Sequence, residues 1–179
     1  MKLLFAALCA LAYVALFELN RRFFSAEFSW GVNYIFLPAG MRLFAVLLLG
    51  AWGALGISLG SMYLVTTMGT ALDPVGVFVV GLISGFSPLL AKRLAERSLG
   101  LDTDPRRLSA PVLFKLSLVF AVISAFMHQV WFVGVGHSPS LLEGFVTMAI
   151  GDLVGTMIFL YAIKAIDSLV LGLLQRARR

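Results

Sequence analysis

Four side chains of this 179-residue chain stand where polar chemistry is costly. Arg42, His128, Gln129 and Asp152 all fall within or at the edges of long apolar runs. An ionisable group in such surroundings needs a partner or a task. His128 and Asp152 form the natural pair. With residue 138 taken as the apex of the loop between their runs, they differ in depth by about 6 Å at 1.5 Å per residue. Side chains on neighbouring antiparallel helices span that gap. A His–carboxylate contact can relay protons, hold a ligand or respond to pH. The plainer expectation is a polar clasp that locks two helices together, with Gln129 beside it. Such interhelical bonds average about 0.6 kcal/mol in a well-studied membrane protein.

Arg42 directly follows Pro38-Ala39-Gly40. A half-helix starting there would aim free N–H groups and a positive dipole end at an anion, with the guanidinium added. The alternative is an arginine snorkelling to the cytoplasmic headgroups, and its expected place near the inner end of a span favours that. Lys115 reads as an interfacial anchor, and Glu18 and Asp167 lie near interfaces.

The glycines speak of packing. Gly56-x-x-x-Gly60, Gly81-x-x-x-Gly85 and Gly151-x-x-x-Gly155 are spacings that let helices approach closely, within the chain or against a partner. No enzyme signature is present: there is no H-E-x-x-H, P-loop or nucleophile elbow. One histidine of the two, His137, falls in an outer loop, so no metal, haem or other cofactor is expected. The single Cys9 excludes a disulfide framework.

The elements that carry these residues must be membrane helices. Apolar residues make up 60% of the chain and charged ones 13%, with a mean hydropathy of +0.98. Soluble domains run near 45–50% apolar and about 25% charged, so the excess faces lipid. The net charge of +5 does not point to nucleic acid, because the basic residues cluster between and after apolar runs as the positive-inside rule expects.

The first span is Leu3 to Leu19, read as uncleaved and ending at Asn20-Arg21-Arg22. Residues 23–31, with Trp30, have interfacial composition. The stretch 32–65 would reach about 51 Å as one helix, against a hydrocarbon core of about 30 Å. It is interrupted by Pro38 and Gly40, then by Gly50, Gly53 and Gly56. A short or re-entrant segment followed by a full span fits it, and broken backbone at that depth must be buried in protein or line a cavity. Asp73-Pro74 opens the next span, which runs to about Leu90 and ends at Lys92-Arg93. The loop at about 92–110, with Arg97, Arg106 and Arg107, is placed in the cytoplasm. Pro111 opens a span to about Val135, and Gly136-His137-Ser138-Pro139-Ser140 lies outside. The last span runs from about Leu142 to Ile163, with residues 165–175 open to an amphipathic continuation. Lys164, Arg176, Arg178 and Arg179 form a basic cytoplasmic tail over 164–179, and no soluble domain is expected beyond it. The expectation is an all-α polytopic bundle and a single membrane domain, with five spans, the N-terminus outside and the C-terminus inside. Splitting 32–65 makes six and moves Arg21 and Arg22 outside.

Two segments resemble the MASE1 type of bacterial membrane sensor domain. Leu37-Pro38-Ala39-Gly40-Met41-Arg42-Leu43, leading into Leu47-Leu48-Leu49-Gly50 and Gly56-Ile57-Ser58-Leu59-Gly60-Ser61, is similar to that family's proline-glycine opening and glycine-rich double helix. Gly151-Asp152-Leu153-Val154-Gly155 is similar to its late G-D-x-x-G motif. The resemblance implies a sensor of the bacterial inner membrane, with Asp152 and the Pro38–Arg42 turn as ligand-site residues. That family has about eight spans and is usually joined to an output domain, which this sequence lacks.

Two functions follow as expectations. One is a sensory or accessory subunit working through helix contacts with another membrane protein or a second copy, with or without a small ligand. The other is a small-solute transporter, or the substrate-binding membrane component of one, built around a discontinuous helix. A transport site requires Asp152, His128 and the Pro38 turn to converge on one water-accessible cavity. A packing subunit instead requires Asp152 and His128 to satisfy each other in a dry contact.

Overall fold

The computed structural model describes all residues except 25, 30–31, 70–71, 99, 104–108, 139 and 178–179, and only the backbone at 27–29 and 167–177. Trp30, Arg106, Arg107, Pro139, Arg178 and Arg179 therefore lie outside the described residues, as do the side chains of Asp167 and Arg176. Among the described residues the regular structure is helical apart from one small hairpin. Its elements are α1 (Lys2–Phe23), β1 (Glu27–Ser29), β2 (Val32–Asn33), α2 (Leu37–Leu49), α3 (Ala51–Thr67), α4 (Pro74–Ser98), α5 (Ala110–Gly134) and α6 (Leu141–Ala177). Among the described residues, four helices are long and apolar enough to cross a membrane: α1, α4, α5 and the Leu141–Ile166 part of α6. The protein is a polytopic helix bundle of lipid-facing composition, with Leu8, Leu11, Leu59, Phe78, Phe126 and Ile150 among the large apolar side chains on its outside.

The stretch 32–65 breaks where glycine conformation demands it. Gly50 has φ +57 and separates α2 from α3. Pro38 and Gly40 break nothing, because both lie in the first turn of α2, where a missing N–H is harmless. Gly53 and Gly56 lie inside α3. The 13 residues of α2 reach only about 20 Å, short of the hydrocarbon core. α2 and α3 make a tight antiparallel hairpin, with Gly53 against the backbone of Ala45.

Contacts fix the helix directions. Gly56 lies on Ala6 and Cys9, and Gly60 on Ala10 and Tyr13, so α1 and α3 run parallel. Gly81 meets Ser58 and Met62 while Gly85 meets Ala54 and Ser58, which sets α4 antiparallel to α3. Gly151 faces Asn33, Gly155 faces Phe36 and Gly40 faces Phe159, so α2 runs parallel to α6. The six helices thus alternate, and α1 begins at the end of the bundle where α6 finishes. Five spans would put those ends on opposite sides. The difference arises because 32–65 descends and returns, and so contributes two helix directions instead of one.

One helix limit also differs from the sequence expectation: α4 continues through Lys92 and Arg93 to Ser98. α6 continues past Ile163 to Ala177, through the stretch 165–175 left open to a continuation. Asp73 does cap α4, its Oδ1 accepting the Gly76 N–H at 2.8 Å.

The glycine contacts generate a prediction. A Cβ at Gly155 would collide with the Phe36 carbonyl, and one at Gly85 with the Ala54 carbonyl and Ser58 Oγ, whereas Gly134 has open space. Gly155→Ala and Gly85→Ala should each destabilise by the roughly 1–3 kcal/mol typical of overpacking. Gly134→Ala should be neutral or better, as expected from helix propensity. Thermal unfolding in detergent, followed by loss of the monodisperse species, reads the difference.

Candidate functional site

Arg42 lies at the centre of the bundle, 1% exposed. It does not snorkel. The α2 position turns its side chain inward, where three neutral oxygens hold the guanidinium. Nε donates to the Ser84 carbonyl at 2.9 Å, and Nη2 to Ser87 Oγ at 3.0 Å and Ser124 Oγ at 3.1 Å. The guanidinium carbon lies 5.3 Å from the centroid of the Phe120 ring, within cation–π range. Asp152, also 1% exposed, stands with Oδ2 3.8 Å from Nη1. That is an ion pair without a short hydrogen bond.

The Ser84 carbonyl is available for a covalent reason. In a regular helix it would accept the N–H four residues on, and that residue is Pro88, inside α4. Proline has no N–H, so the carbonyl loses its helical donor. Arg42 supplies the replacement from another helix, one of the ways that membrane bundles satisfy such a gap.

Ser124 ties the remaining groups together. Its hydroxyl donates to Asp152 Oδ2 at 2.7 Å, and its carbonyl lies 2.8 Å from His128 Nδ1. A carbonyl only accepts, so Nδ1 carries a proton. In the neutral imidazole, Nε2 is then the acceptor for the Ser84 hydroxyl at 3.3 Å. Ser61 donates to that same Ser84 hydroxyl at 3.0 Å, and the Tyr13 hydroxyl interacts with both serines. Asp152 Oδ1 has no hydrogen-bond partner among the described residues.

The expected direct clasp between His128 and Asp152 is not formed. Both residues bond to Ser124 instead, because His128 faces α4 while Asp152 faces α2. Gln129 takes no part in the cluster. One residue further along α5, it points the other way, its Nε2 3.9 Å from Met148 Sδ and its Oε1 against Gly144. The N-terminus of α2 is not an open anion site either, since Asn20 Oδ1 accepts the Leu37 N–H at 2.9 Å. Gly56, Gly60, Gly81, Gly85, Gly151 and Gly155 all face other segments of the same chain.

A cavity of about 670 Å³ reaches this cluster. Its inner surface includes Tyr13, Arg42, Ser61, Ser84 and His128, and its walls include Phe17, Phe36, Leu64, Val80, Phe132 and Met148. Glu18, Arg21, Thr67 and Met68 line it toward the end of the bundle where α1 and α3 finish. On the other side of Arg42, Leu43, Leu47, Ala91, Ala95, Leu113, Leu116 and Leu160 form an apolar core. The volume lies within the roughly 300–1,000 Å³ of small-molecule sites. Asp152 stands behind the guanidinium and does not line the cavity.

Compared with known protein families, curated proteins and solved structures, the chain matches none. Its site therefore rests on its own geometry. Among the described residues no group of three His, Cys, Asp or Glu could hold a metal. The serines, Tyr13 and Pro88 were not singled out from sequence. A proline within a span, with serine four residues before it, was the available signal.

The energetics are testable by double-mutant cycles. Arg42→Met leaves Asp152 unpaired and should cost about 3–5 kcal/mol, while Arg42→Met with Asp152→Leu should cost clearly less than the sum of the single changes. Pro88→Ala restores a donor to the Ser84 carbonyl and should couple to Arg42→Met by about 0.5 kcal/mol or more. Additive effects would mean that the freed carbonyl does not hold the guanidinium.

Proposed function

We propose that this protein is a ligand-binding membrane subunit that takes a small polar molecule into the middle of the bundle from the non-cytoplasmic side, and senses it or presents it to a membrane partner. The observation that carries this reading is the cavity, which leads from one end of the bundle to Arg42, His128, Ser61 and Ser84. Polar side chains of a purely structural clasp would be shut among apolar neighbours.

The orientation follows from charge. All four lysines (Lys2, Lys92, Lys115 and Lys164) lie toward the end where α1 begins and α6 finishes, with Arg93 and Arg97. In sequence, Arg106 and Arg107 fall between Ser98 and Ala110, Arg176 belongs to the last turn of α6, and Arg178 and Arg179 follow it. Only Arg21 and Arg22 belong to the opposite end. The positive-inside rule then puts both termini in the cytoplasm of a bacterial inner membrane and opens the cavity outward. The α2–α3 hairpin counts as two passes or as one re-entrant loop without changing the sidedness.

A subunit is favoured over a self-sufficient transporter by the apolar core beyond Arg42, which blocks a continuous polar path. The sensory form draws support from the two MASE1-like segments, which meet where Gly155 lies against Leu37 and where Arg42 stands 3.8 Å from Asp152.

Cysteine labelling in intact cells tests this reading. With Cys9→Ala as background, Thr67→Cys and Ser61→Cys should react with a small membrane-impermeant thiol reagent. Arg97→Cys should react only after the membrane is opened. Labelling of Arg97→Cys alone would reverse the orientation, and a Ser61→Cys protein that stays inert while Thr67→Cys reacts would remove the open cavity.

A further inference from the structure

We propose that the ligand is an apolar-bodied molecule carrying a single carboxylate, anchored by Arg42 at the inner end of the cavity. This rests on the reading of the cavity as a ligand site and adds the chemical class. The inner surface and the walls differ in chemistry. Beyond Arg42, the polar groups there are the Tyr13, Ser61 and Ser84 hydroxyls and the His128 ring, which supply donors or switch between donating and accepting. The carboxylate that lines the cavity, Glu18, lies toward the mouth, bound to Arg21 at 2.8 Å. A cationic head would meet Arg42 with no carboxylate beside it on that surface.

The guanidinium is also only partly neutralised. Its three hydrogen bonds go to a backbone carbonyl and two hydroxyls. Asp152 approaches no closer than 3.8 Å, from behind. A buried cation in low dielectric gains most from a hydrogen-bonded counter-ion, and the cavity is the side from which one can arrive. Phe17, Phe36, Val80, Phe132 and Met148 line the space above and suit an aromatic or aliphatic body. Ser87, Ser124 and Asp152 do not line the cavity and act as positioning residues, Ser124 for both Arg42 and His128.

The test uses the full chain in zwitterionic lipid nanodiscs and three probes of one shape: 3-phenylpropionate, 3-phenylpropanamide and 3-phenylpropylamine. Isothermal titration should give the carboxylate at least tenfold tighter binding than either of the others. In Arg42→Gln that preference should vanish, with the amide retained. Should Arg42→Gln fail to fold, Arg42→Lys keeps the charge and should keep the preference at reduced affinity. Phe132→Trp, which fills the cavity, should abolish binding of all three. Palmitate separates the sources of the carboxylate: competition by palmitate delivered in the nanodisc marks a bilayer ligand, and its failure to compete marks a soluble one. Equal or tighter binding of the amide or amine, blocked by Phe132→Trp, overturns the carboxylate class and leaves the cavity as a ligand site. No binding by any probe also overturns the carboxylate proposal, and Ser61→Cys labelling then decides separately whether the cavity is open.

Discussion

A guanidinium in the middle of an apolar bundle is the constraint from which the rest of the arrangement follows. Its charge cannot be removed by deprotonation, because arginine keeps its proton in proteins. The fold must therefore bring acceptors to it. Three arrive as oxygens of α4 and α5, and one of these exists because Pro88 deprives the Ser84 carbonyl of its helical donor. The small serine side chains let those helices close around Arg42. Asp152 then balances the charge from α6, with Ser124 bonded to both partners. One side chain on a short helix thus fixes the mutual positions of α2, α4, α5 and α6.

Placing Arg42 there requires the chain to reach mid-bundle by a route that is not helical. Val32, Asn33 and Phe36 are buried in extended or irregular backbone, which lipid would not tolerate unpaired. The open bonds are met from two sides. Asn20 of α1 donates to the Ile35 carbonyl at 3.3 Å and accepts the Leu37 N–H, and the Gly151 carbonyl of α6 accepts the Phe36 N–H at 3.1 Å. Gly151 and Gly155 have no side chain to hold this segment away. The glycine pairs and the buried arginine are thus parts of one construction, since the close approach of 33–36 to α6 sets the start of α2.

The bundle divides at Arg42 into two unlike halves. Toward the basic end, leucines and alanines pack into a continuous apolar core. Toward the other end the cavity lies among α1, α3, α4, α5 and α6. Such a division suits capture from one side of a membrane. The short α2, joined to α3 by a positive-φ glycine, lies beside the divide, and its arginine touches both the cavity and the buried acid.

The sequence by itself determined the membrane environment, because an apolar content this high leaves no alternative to lipid. It also determined that 32–65 could not be one span, since its length fits neither one span nor two. Arg42, His128 and Asp152 were legible as candidates because a charged or strongly polar residue in an apolar run is conspicuous one residue at a time. What tertiary structure decided was which of them meet. Depth arithmetic paired His128 with Asp152, whereas Asp152 bonds to Ser124, four residues before His128 on α5, because depth says nothing of the angle around each helix. That angle turned His128 toward α4, Asp152 toward α2 and Gln129 away. The same blindness hid the serines, which look ordinary until α4 and α5 bring them to one guanidinium. It also hid that both ends of the chain share one end of the bundle, because the positive φ at Gly50 makes 32–65 two antiparallel helices in place of a short or re-entrant segment and one full span.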